Sequence, residues 1–231
     1  MNFTLYSIFL SELYCPIYSP IFSQKSFSTI SNSQFSNFFH TFLHFSPNSQ
    51  SLRLTKCIFN QFLHSVIVSS NVLPQNHLSH RNLHHYHESF SEQNLIIESC
   101  KFNNCRNRDF HGGAIFAICD SIIKDSTFSK CFAGYGGALS VFSNTVIINT
   151  CFYKCFSQDG GAFLIKFGSL IINSSMISYC TASGTGGAIK TCQLSDIHQR
   201  NINYSYCSAV SQSSVSMIDS TSLSISHSIY S

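Results

Sequence analysis

Residues 128–139 have the sequence FSKCFAGYGGAL, in which an F-x-x-C motif is followed closely by a G-G-A-L motif. Both motifs recur along the chain at a nearly constant distance. Successive Gly-Gly pairs, each followed by Ala and a large apolar residue, are 24, 24 and 26 residues apart. A period of this length is typical of solenoid proteins. The paired glycines are Gly112, Gly113, Gly136, Gly137, Gly160, Gly161, Gly186 and Gly187.

The F-x-x-C motif also forms columns when the repeats are aligned. In each repeat an aromatic or aliphatic residue lies three positions before a cysteine. The clearest examples are Phe102 and Cys105, Phe128 and Cys131, Phe152 and Cys155, and Ile177 and Cys180. Two columns of β-branched residues precede the motif. They are Ile96, Ile122, Val146 and Ile171, and then Ile97, Ile123, Ile147 and Ile172. Such residues favour strands, so each repeat is predicted to consist of short strands and corners.

The alternation of apolar and polar residues after each Gly-Gly-Ala predicts a strand with one inward face. In this interpretation Ile115, Leu139, Phe163 and Ile189 stack as one ladder, and Phe167 also faces inward. Three short strands and three corners fit one rung of 24–26 residues, and such rungs stack ~4.8 Å apart. The predicted fold class is all-β, a right-handed parallel β-helix. A leucine-rich repeat has a similar period, but its repeated L-x-x-L-x-L-x-x-N core is absent.

Together, the G-G-A-[ILF] and F-x-x-C motifs resemble the repeats of polymorphic outer membrane proteins, whose defining tetrapeptides are G-G-A-I and F-x-x-N. The resemblance covers residues 95–207, about half of the chain. It implies a right-handed β-helical region that is displayed at a cell surface and takes part in adhesion. One departure is systematic, because Cys replaces the Asn of F-x-x-N in every repeat.

The repeats divide the chain into two regions. Residues 95–231 are predicted to be regular β-helix repeats, in which Ile229 continues the column 25 residues after Tyr204. The repeats are predicted to end in mid-rung, as expected of a fragment of a longer protein. Residues 1–94 are predicted to be degenerate rungs, in which Phe59, Phe35 and Phe9 continue the column of Phe102. Residues 74–92 lack the repeat columns and are predicted to be an insertion that forms a loop on the wall of the helix.

Histidine is concentrated in this insertion. His77, His80, His84 and His87 would share one face if the loop were helical, and imidazoles arranged in this way can hold Zn²⁺. A His-rich low-complexity surface loop explains the same residues without a metal, and this interpretation is preferred. No cofactor and no metal site are therefore predicted.

The chain has 11 cysteines, five of which fall in one column of the repeat. These five are Cys105, Cys131, Cys155, Cys180 and Cys207. A thiol is a small and well-buried apolar group, so the column is predicted to face inward as a structural ladder. Neighbouring rungs would bring equivalent Cα atoms to ~4.8 Å, which lies within the disulfide range, and bridges between rungs are left open.

Composition excludes several classes of function. Only 10% of the 231 residues are charged and the formal net charge is +3, which is too little for a nucleic-acid surface. No apolar run approaches the ~18 residues of a membrane helix. A carbohydrate-active enzyme of this architecture needs clustered carboxylates. Asp109 and Asp159 are expected two rungs apart, and Asp125 is expected on a different edge, so no catalytic pair is assigned.

These observations favour a non-enzymatic, cell-surface or secreted β-helix scaffold that resembles an adhesin. Its partner would be a surface protein or a glycan. Two alternatives stay open: a polysaccharide-active enzyme with the architecture of pectate lyases and polygalacturonases, and a non-functional fragment of a larger repeat protein. The predicted location is the cell surface or the extracellular space.

Overall fold

The computed structural model describes residues 3–6, 9–11, 26–39, 41–45, 50–69, 94–211, 216–217, 220–226 and 229–230. Over these residues the chain is a parallel β-solenoid of short strands and corners, without a helix. The prediction of an all-β helix of stacked rungs is confirmed. Each strand pairs in parallel with the equivalent strands of the neighbouring rungs. The strands thereby form four sheets, which we number S1 to S4 in their order along a rung.

Sheets S1 and S2 each contain nine strands. The strands of S1 are β1 (Phe3–Tyr6), β3 (Ser26–Ser31), β6 (Gln50–Thr55), β9 (Asn94–Glu98), β13 (Asp120–Lys124), β17 (Thr145–Ile148), β21 (Ser169–Asn173), β25 (Leu194–Arg200) and β29 (Ser220–Ser226). The strands of S2 are β2 (Phe9–Ser11), β4 (Gln34–Phe38), β7 (Ile58–Phe62), β10 (Lys101–Asn103), β14 (Thr127–Ser129), β18 (Cys151–Tyr153), β22 (Met176–Ser178), β26 (Asn203–Ser205) and β30 (Ile229–Tyr230).

The other two sheets have fewer and shorter strands. The strands of S3 are β11 (Arg106–His111), β15 (Phe132–Tyr135), β19 (Phe156–Ser157), β23 (Thr181–Ala182) and β27 (Ser208–Ala209). The strands of S4 are β5 (Leu43–Phe45), β8 (Ile67–Ser69), β12 (Ile115–Ala117), β16 (Leu139–Val141), β20 (Phe163–Lys166), β24 (Ile189–Cys192) and β28 (Ser216–Met217).

The regular rungs have four strands, whereas the sequence pattern predicted three. The additional strands are those of S3, which follow the F-x-x-C motif and are as short as two residues. Their buried positions hold the small residues Ala133, Ser157 and Ala182. Because small residues produce no apolar alternation in the sequence, the prediction of three strands in each rung was wrong.

The aromatic column of the F-x-x-C motif fills the interior behind S2. Phe128 pairs with Phe102 on one side and with Phe152 on the other, and the column continues through Ile177 to Tyr204. All five side chains are fully buried. The rings of Phe102 and Phe128 stack with centroids 4.8 Å apart and an angle of 2° between their planes. Stacked rings at this spacing add favourable contacts to the apolar area that they bury.

The Gly-Gly pairs lie above one another at the corner between S3 and S4, as predicted. At this corner Gly136 has a φ of +62°, a conformation that residues with a side chain rarely adopt. A Cβ atom on Gly137 would lie 2.1 Å from the carbonyl oxygen of Gly161 in the next rung. The first glycine of each pair therefore permits the turn, and the second permits the close approach of rungs.

Beyond this corner, the predicted ladder of S4 is confirmed. Leu139 pairs with Ile115 and with Phe163, which pairs in turn with Ile189, and all four side chains are fully buried. The prediction that Phe167 also faces inward was wrong. Its φ of +65° ends the strand, and its side chain packs against residues on the outer side of S4.

Two predictions near the ends of the chain were wrong by one residue. Leu10, and not Phe9, pairs with Phe35 in the aromatic column. At the other end, Tyr230 pairs with Tyr204, while the predicted residue, Ile229, is 63% exposed. The number of residues in a rung varies, so counting along the sequence cannot place a degenerate rung to a single residue.

The predicted insertion separates two rungs that pair directly with each other. Phe59 pairs with Phe102 and Ile67 pairs with Ile115, although 43 and 48 residues separate these partners in the sequence. The insertion itself, 74–92, lies outside the described residues. The register of the rungs on either side of it is the one predicted from the sequence.

Replacing Phe128 by alanine is expected to lower the free energy of unfolding by about 3–5 kcal/mol, because a cavity would open inside the aromatic column. Urea denaturation followed by circular dichroism measures this change. Phe156→Ala is the matched control, since Phe156 is 39% exposed and should cost about 1 kcal/mol or less. Equal losses for the two variants would contradict the stacking of the column.

Deleting residues 76–88 is expected to leave the far-ultraviolet spectrum unchanged and to shift the Tm by less than about 2 °C. The rungs on either side already pair without these residues. Deletion of 120–132, which has the same length but removes β13, β14 and the first residue of β15, is the control and should unfold the protein. Unfolding by the first deletion would mean that residues 76–88 supply rung contacts.

Candidate binding face

Each regular rung turns from S2 to S3 through one residue with a positive φ. These residues are Asn104, Lys130, Lys154, Tyr179 and Tyr206, with φ between +52° and +54°. The N–H group of Lys154 donates a 3.0 Å hydrogen bond to the carbonyl of Ser178 in the next rung, and its neighbours in the column bond in the same way. The corner thus continues the pairing of the sheets, while its side chains are free to vary from one rung to the next.

The cysteine of each F-x-x-C motif closes this corner from the inside. The thiol of Cys131 donates to the carbonyl of Ser129, two residues earlier, at 3.5 Å, and lies 3.9 Å from the carbonyl of Phe102 in the preceding rung. Cys105, Cys155 and their equivalents donate in the same way. The column has a structural role, because the thiols add a second hydrogen bond to corner carbonyls, such as that of Ser129, which also accepts from the N–H group of Asn104 in the preceding rung.

As predicted, the thiol column faces inward. Cys105, Cys131, Cys155 and Cys180 are at most 1% exposed, and Cys207 near the end is partly exposed. The ten cysteines of the described residues are thiols and form no disulfides. Burial in an apolar interior raises the pKa of Cys131 and of Cys180 well above the ordinary value, which keeps these groups protonated as donors.

The most exposed aromatic side chains of the regular rungs lie at the same corner. Tyr179 is 46% exposed and Tyr206 is 67% exposed, and their rings stack with centroids 4.8 Å apart. The Tyr153 ring meets the Tyr179 ring edge-on at 5.7 Å, and Lys154 Nζ lies 5.0 Å from the Tyr153 centroid. We call Tyr153, Tyr179, Tyr206, Lys130 and Lys154 the tyrosine–lysine stripe.

Tyrosine is an unusual residue for the position that Tyr179 and Tyr206 occupy. Asn and Gly adopt a positive φ at low cost, whereas residues with a bulky side chain lose roughly 1 kcal/mol or more there. Backbone strain of this kind is found at functional sites more often than elsewhere. Tyr206 is largely exposed and Tyr179 is about half exposed, so both of these costly positions present part of an aromatic ring to solvent.

Apolar and hydroxyl-bearing side chains continue the stripe onto the outer side of S3. Phe132 and Phe156 stack there with centroids 5.4 Å apart, and the column passes on to Thr181 and Ser208. Arg106 occupies the same column in the preceding rung. The outer side of S3 is thus cationic at one end, aromatic in the middle and hydroxyl-bearing at the other end.

A second aromatic cluster lies on the outer side of S4, and it packs against itself. The His111 ring stacks between Phe116 and Tyr135, at 5.4 and 5.1 Å, and meets Phe142 edge-on. His111 Nδ1 also lies 3.1 Å from the hydroxyl of Ser140. Phe116 and Phe142 are only 6% and 8% exposed. This cluster therefore shields its own apolar surface and is a weaker candidate for binding than the stripe.

Carboxylates in the regular rungs join one rung to the next. Asp159 accepts hydrogen bonds from the N–H group and the hydroxyl of Thr185, at 2.9 and 2.6 Å, and forms an ion pair of 3.0 Å with Lys190. The remaining contacts of this kind are Asp120 with Ser143 and Asn144, Asp125 with Asn149, and Glu98 with Arg53. The side chain of Asp109 lies outside the described part of the structure. Asp125 and Asp159 lie at different corners, as predicted.

The predicted insertion, with His77, His80, His84 and His87, is likewise outside the described residues. Within the described ranges, no group of three His, Cys, Asp or Glu side chains is arranged to hold a metal ion. The described part of the chain also contains no helix long and apolar enough to span a membrane.

Comparison with known proteins yields no relative. No family model matches the chain, and neither a curated protein nor a solved structure matches it significantly. The fold and the contacts described above are therefore the observations from which function can be argued.

Sequence reasoning located the columns of the repeat but missed the stripe. The sequence does mark these positions, because Tyr179 and Tyr206 each directly precede the cysteine of an F-x-x-C-type motif. The other repeats have Asn or Lys at this position. Only the positive φ at this position shows that the residue lies at a corner. Without the backbone conformation, the tyrosines could not be distinguished from core aromatics.

Replacing Asp159 by asparagine is expected to destabilise the protein by about 1 kcal/mol at pH 7. Partial burial would raise the pKa of Asp159, but the hydrogen bonds from Thr185 and the charge of Lys190 lower it below the ordinary value. Because the pKa of Asp159 is lower in the folded state than in the unfolded state, the charged carboxylate stabilises the fold at pH values above the unfolded pKa of about 3.9. This stabilisation is lost as the pH falls through the pKa of the folded state.

Urea midpoints of the native protein and of Asp159→Asn, measured from pH 7 to pH 3, test this expectation. The difference should shrink below about pH 4. Asp125→Asn is the control, because the Asp125 carboxylate is exposed and accepts a side-chain hydrogen bond from Asn149. A difference between Asp159→Asn and the native protein that stays constant with pH would show that the charge of Asp159 does not stabilise the fold.

Proposed function

We propose that this chain is a non-catalytic β-solenoid scaffold, displayed at a cell surface or secreted, that binds its partner in the manner of an adhesin. The observation that carries the proposal is the tyrosine–lysine stripe. It combines exposed aromatic rings and cations at the positive-φ corner between S2 and S3. Tyrosine is among the residues that contribute most to binding energy in interfaces.

The resemblance to polymorphic outer membrane proteins supports the same proposal. It rests on the G-G-A-[ILF] and F-x-x-C motifs, whose glycines and cysteines here build the two corners of S3. In that family such repeats belong to surface-displayed regions implicated in adhesion. Surface location and adhesion are therefore proposed for this chain by analogy.

The carboxylates provide a further argument for a scaffold over a glycan-cleaving enzyme. A glycosidase uses two carboxyl groups on either side of one bond, and one of them must be protonated at working pH. Asp159 instead has a lowered pKa and is held by Thr185 and Lys190. Asp120 and Asp125 are engaged by asparagine side chains of the next rung. These groups act as contacts between rungs.

The double variant Tyr179→Asn, Tyr206→Asn is expected to lose at least about tenfold in binding to intact cells or to extracellular matrix, because the interface would lose two aromatic anchors. Asparagine suits a positive φ, so the variant should remain as stable as the native protein. Binding of the labelled protein by flow cytometry and stability in urea are measured together. Ile171→Asn is the control, since Ile171 is 42% exposed on S1, away from the stripe.

Two results would contradict the proposal. One is unchanged binding by the double variant while the control variant loses binding. The other is the release of new reducing ends from polygalacturonate or chitin, with or without Ca²⁺, if Asp109→Asn or Asp159→Asn abolishes this release. The second result would identify the chain as an enzyme.

A further inference from the structure

We propose that the tyrosine–lysine stripe binds an extended acidic polysaccharide, a chain of sugars bearing carboxylate or sulfate groups, which lies parallel to the solenoid axis. This inference rests on the proposed function, because it names the class of partner for the same surface. Four features of the stripe support it: its charge, its repeat distance, its aromatic composition and its shape.

Charge is distributed unequally around the solenoid. The side formed by S2 and S3 has five exposed cations, which are Lys101, Arg106, Arg108, Lys130 and Lys154. The strands of S2 and S3 contain one acidic residue, Asp109, which follows Arg108 in β11 and whose side chain lies outside the described part of the structure. The described carboxylates lie instead on S1, at its corners, or at the corner between S3 and S4: Glu98, Asp120, Asp125, Asp159 and Asp196. The stripe is therefore complementary to an anion, although the net charge of the whole chain is small.

Lys130 and Lys154 hold the same corner position in successive rungs. In the preceding rung that position holds Asn104, and Arg106 Nε donates a 3.1 Å hydrogen bond to Asn104 Oδ1. Successive rungs are ~4.8 Å apart. One sugar unit in an extended polysaccharide spans about one rung. A chain of acidic sugars that runs along the axis would therefore present one anionic group to each cation in turn.

The tyrosines continue the same line into the next two rungs. A phenol hydroxyl donates hydrogen bonds to oxyanions and sugar hydroxyls, and the exposed Tyr206 ring also offers an apolar face to a sugar ring. Ser205, which precedes Tyr206 on S2, is partly exposed and adds a further hydroxyl group. Each contact is weak, but a polymer that engages several rungs at once gains from their combined effect.

The shape of the stripe favours a thin polymer over a folded protein. The stripe follows a corner of the solenoid, and a stable protein interface needs a wide patch of about 800 Å² on each partner, with an apolar centre. A nucleic acid would use the faces of the aromatic rings to stack its bases. Because Tyr179 and Tyr206 stack on each other with centroids 4.8 Å apart, they do not offer the succession of free ring faces on which a single strand stacks its bases.

Titration calorimetry with defined oligosaccharides tests the proposal. The probes are an oligogalacturonate and a heparin-type sulfated oligosaccharide, with a neutral oligosaccharide of equal length and a single-stranded oligonucleotide for comparison. We expect at least one acidic sugar to bind and the neutral sugar not to bind. The affinity should fall as salt is added, because bound cations displace the counterions of a polyanion.

Variants assign the binding to the stripe. Lys130→Ser combined with Lys154→Ser is expected to lower affinity for the acidic sugar by at least about tenfold and to reduce its salt dependence. The matched control is Lys56→Ser combined with Lys124→Ser, because both of these lysines lie on or next to S1. Tyr179→Asn with Tyr206→Asn should weaken binding by a similar factor at every salt concentration.

Three results would overturn the inference: equal binding of neutral and acidic sugars, tighter binding of the oligonucleotide, or equal losses in the two pairs of lysine variants. The failure of this inference can be distinguished from that of the proposed function. If the tyrosine variant loses binding to cells and no acidic sugar binds, the adhesive scaffold stands and the partner class is wrong. If the tyrosine variant keeps its binding to cells, the proposed function fails as well.

Discussion

The structure depends on one constraint, which is that every rung must continue its backbone hydrogen bonds to the next rung through the corners as well as through the strands. A corner that broke this pairing would leave buried N–H and C=O groups without partners, at a cost of about 1–3 kcal/mol each. The chain meets the constraint with single residues of positive φ. Lys154, for example, turns the chain and still donates its N–H group to the next rung.

Small polar side chains complete these corners from within. At the corner between S1 and S2, the hydroxyl of Ser126 donates to the carbonyl of Lys124 and accepts from the N–H group of Cys100. Thiols form comparable hydrogen bonds at the corner between S2 and S3, where the thiol of Cys131 donates to the carbonyl of Ser129. A thiol is a weaker donor than an amide, but it packs well among apolar neighbours. This explains how Cys can stand where the F-x-x-N motif has Asn.

Because the interior and the backbone of the corners are so constrained, one rung can differ from the next mainly in the side chains that point outward, on the strands and at the corners. Some outer positions hold small polar residues that form contacts between rungs, such as Asn103 with Asn60, and others hold aliphatic residues, such as Ile122 and Ile171 on S1. The tyrosine–lysine stripe instead places exposed aromatic rings and cations at a corner where the backbone makes tyrosine costly. A scaffold of this kind separates its stability, which lies in repeated inward columns, from recognition, which lies in a few outward side chains.

The sequence by itself determined the period, the inward columns of Phe128 and Leu139, the glycine corner and the register across the insertion. These features repeat, and a repeated residue type at a fixed interval is visible without coordinates. The sequence could not determine the fourth strand of each rung, because small residues such as Ala133 pack inward without any apolar alternation. Nor could it locate the stripe. Residues that are distant in the chain become neighbours only when rungs stack. The positive φ of Tyr179 and Tyr206 and the exposure of their side chains, which place these rings at a corner in solvent, are known only from the stacked rungs.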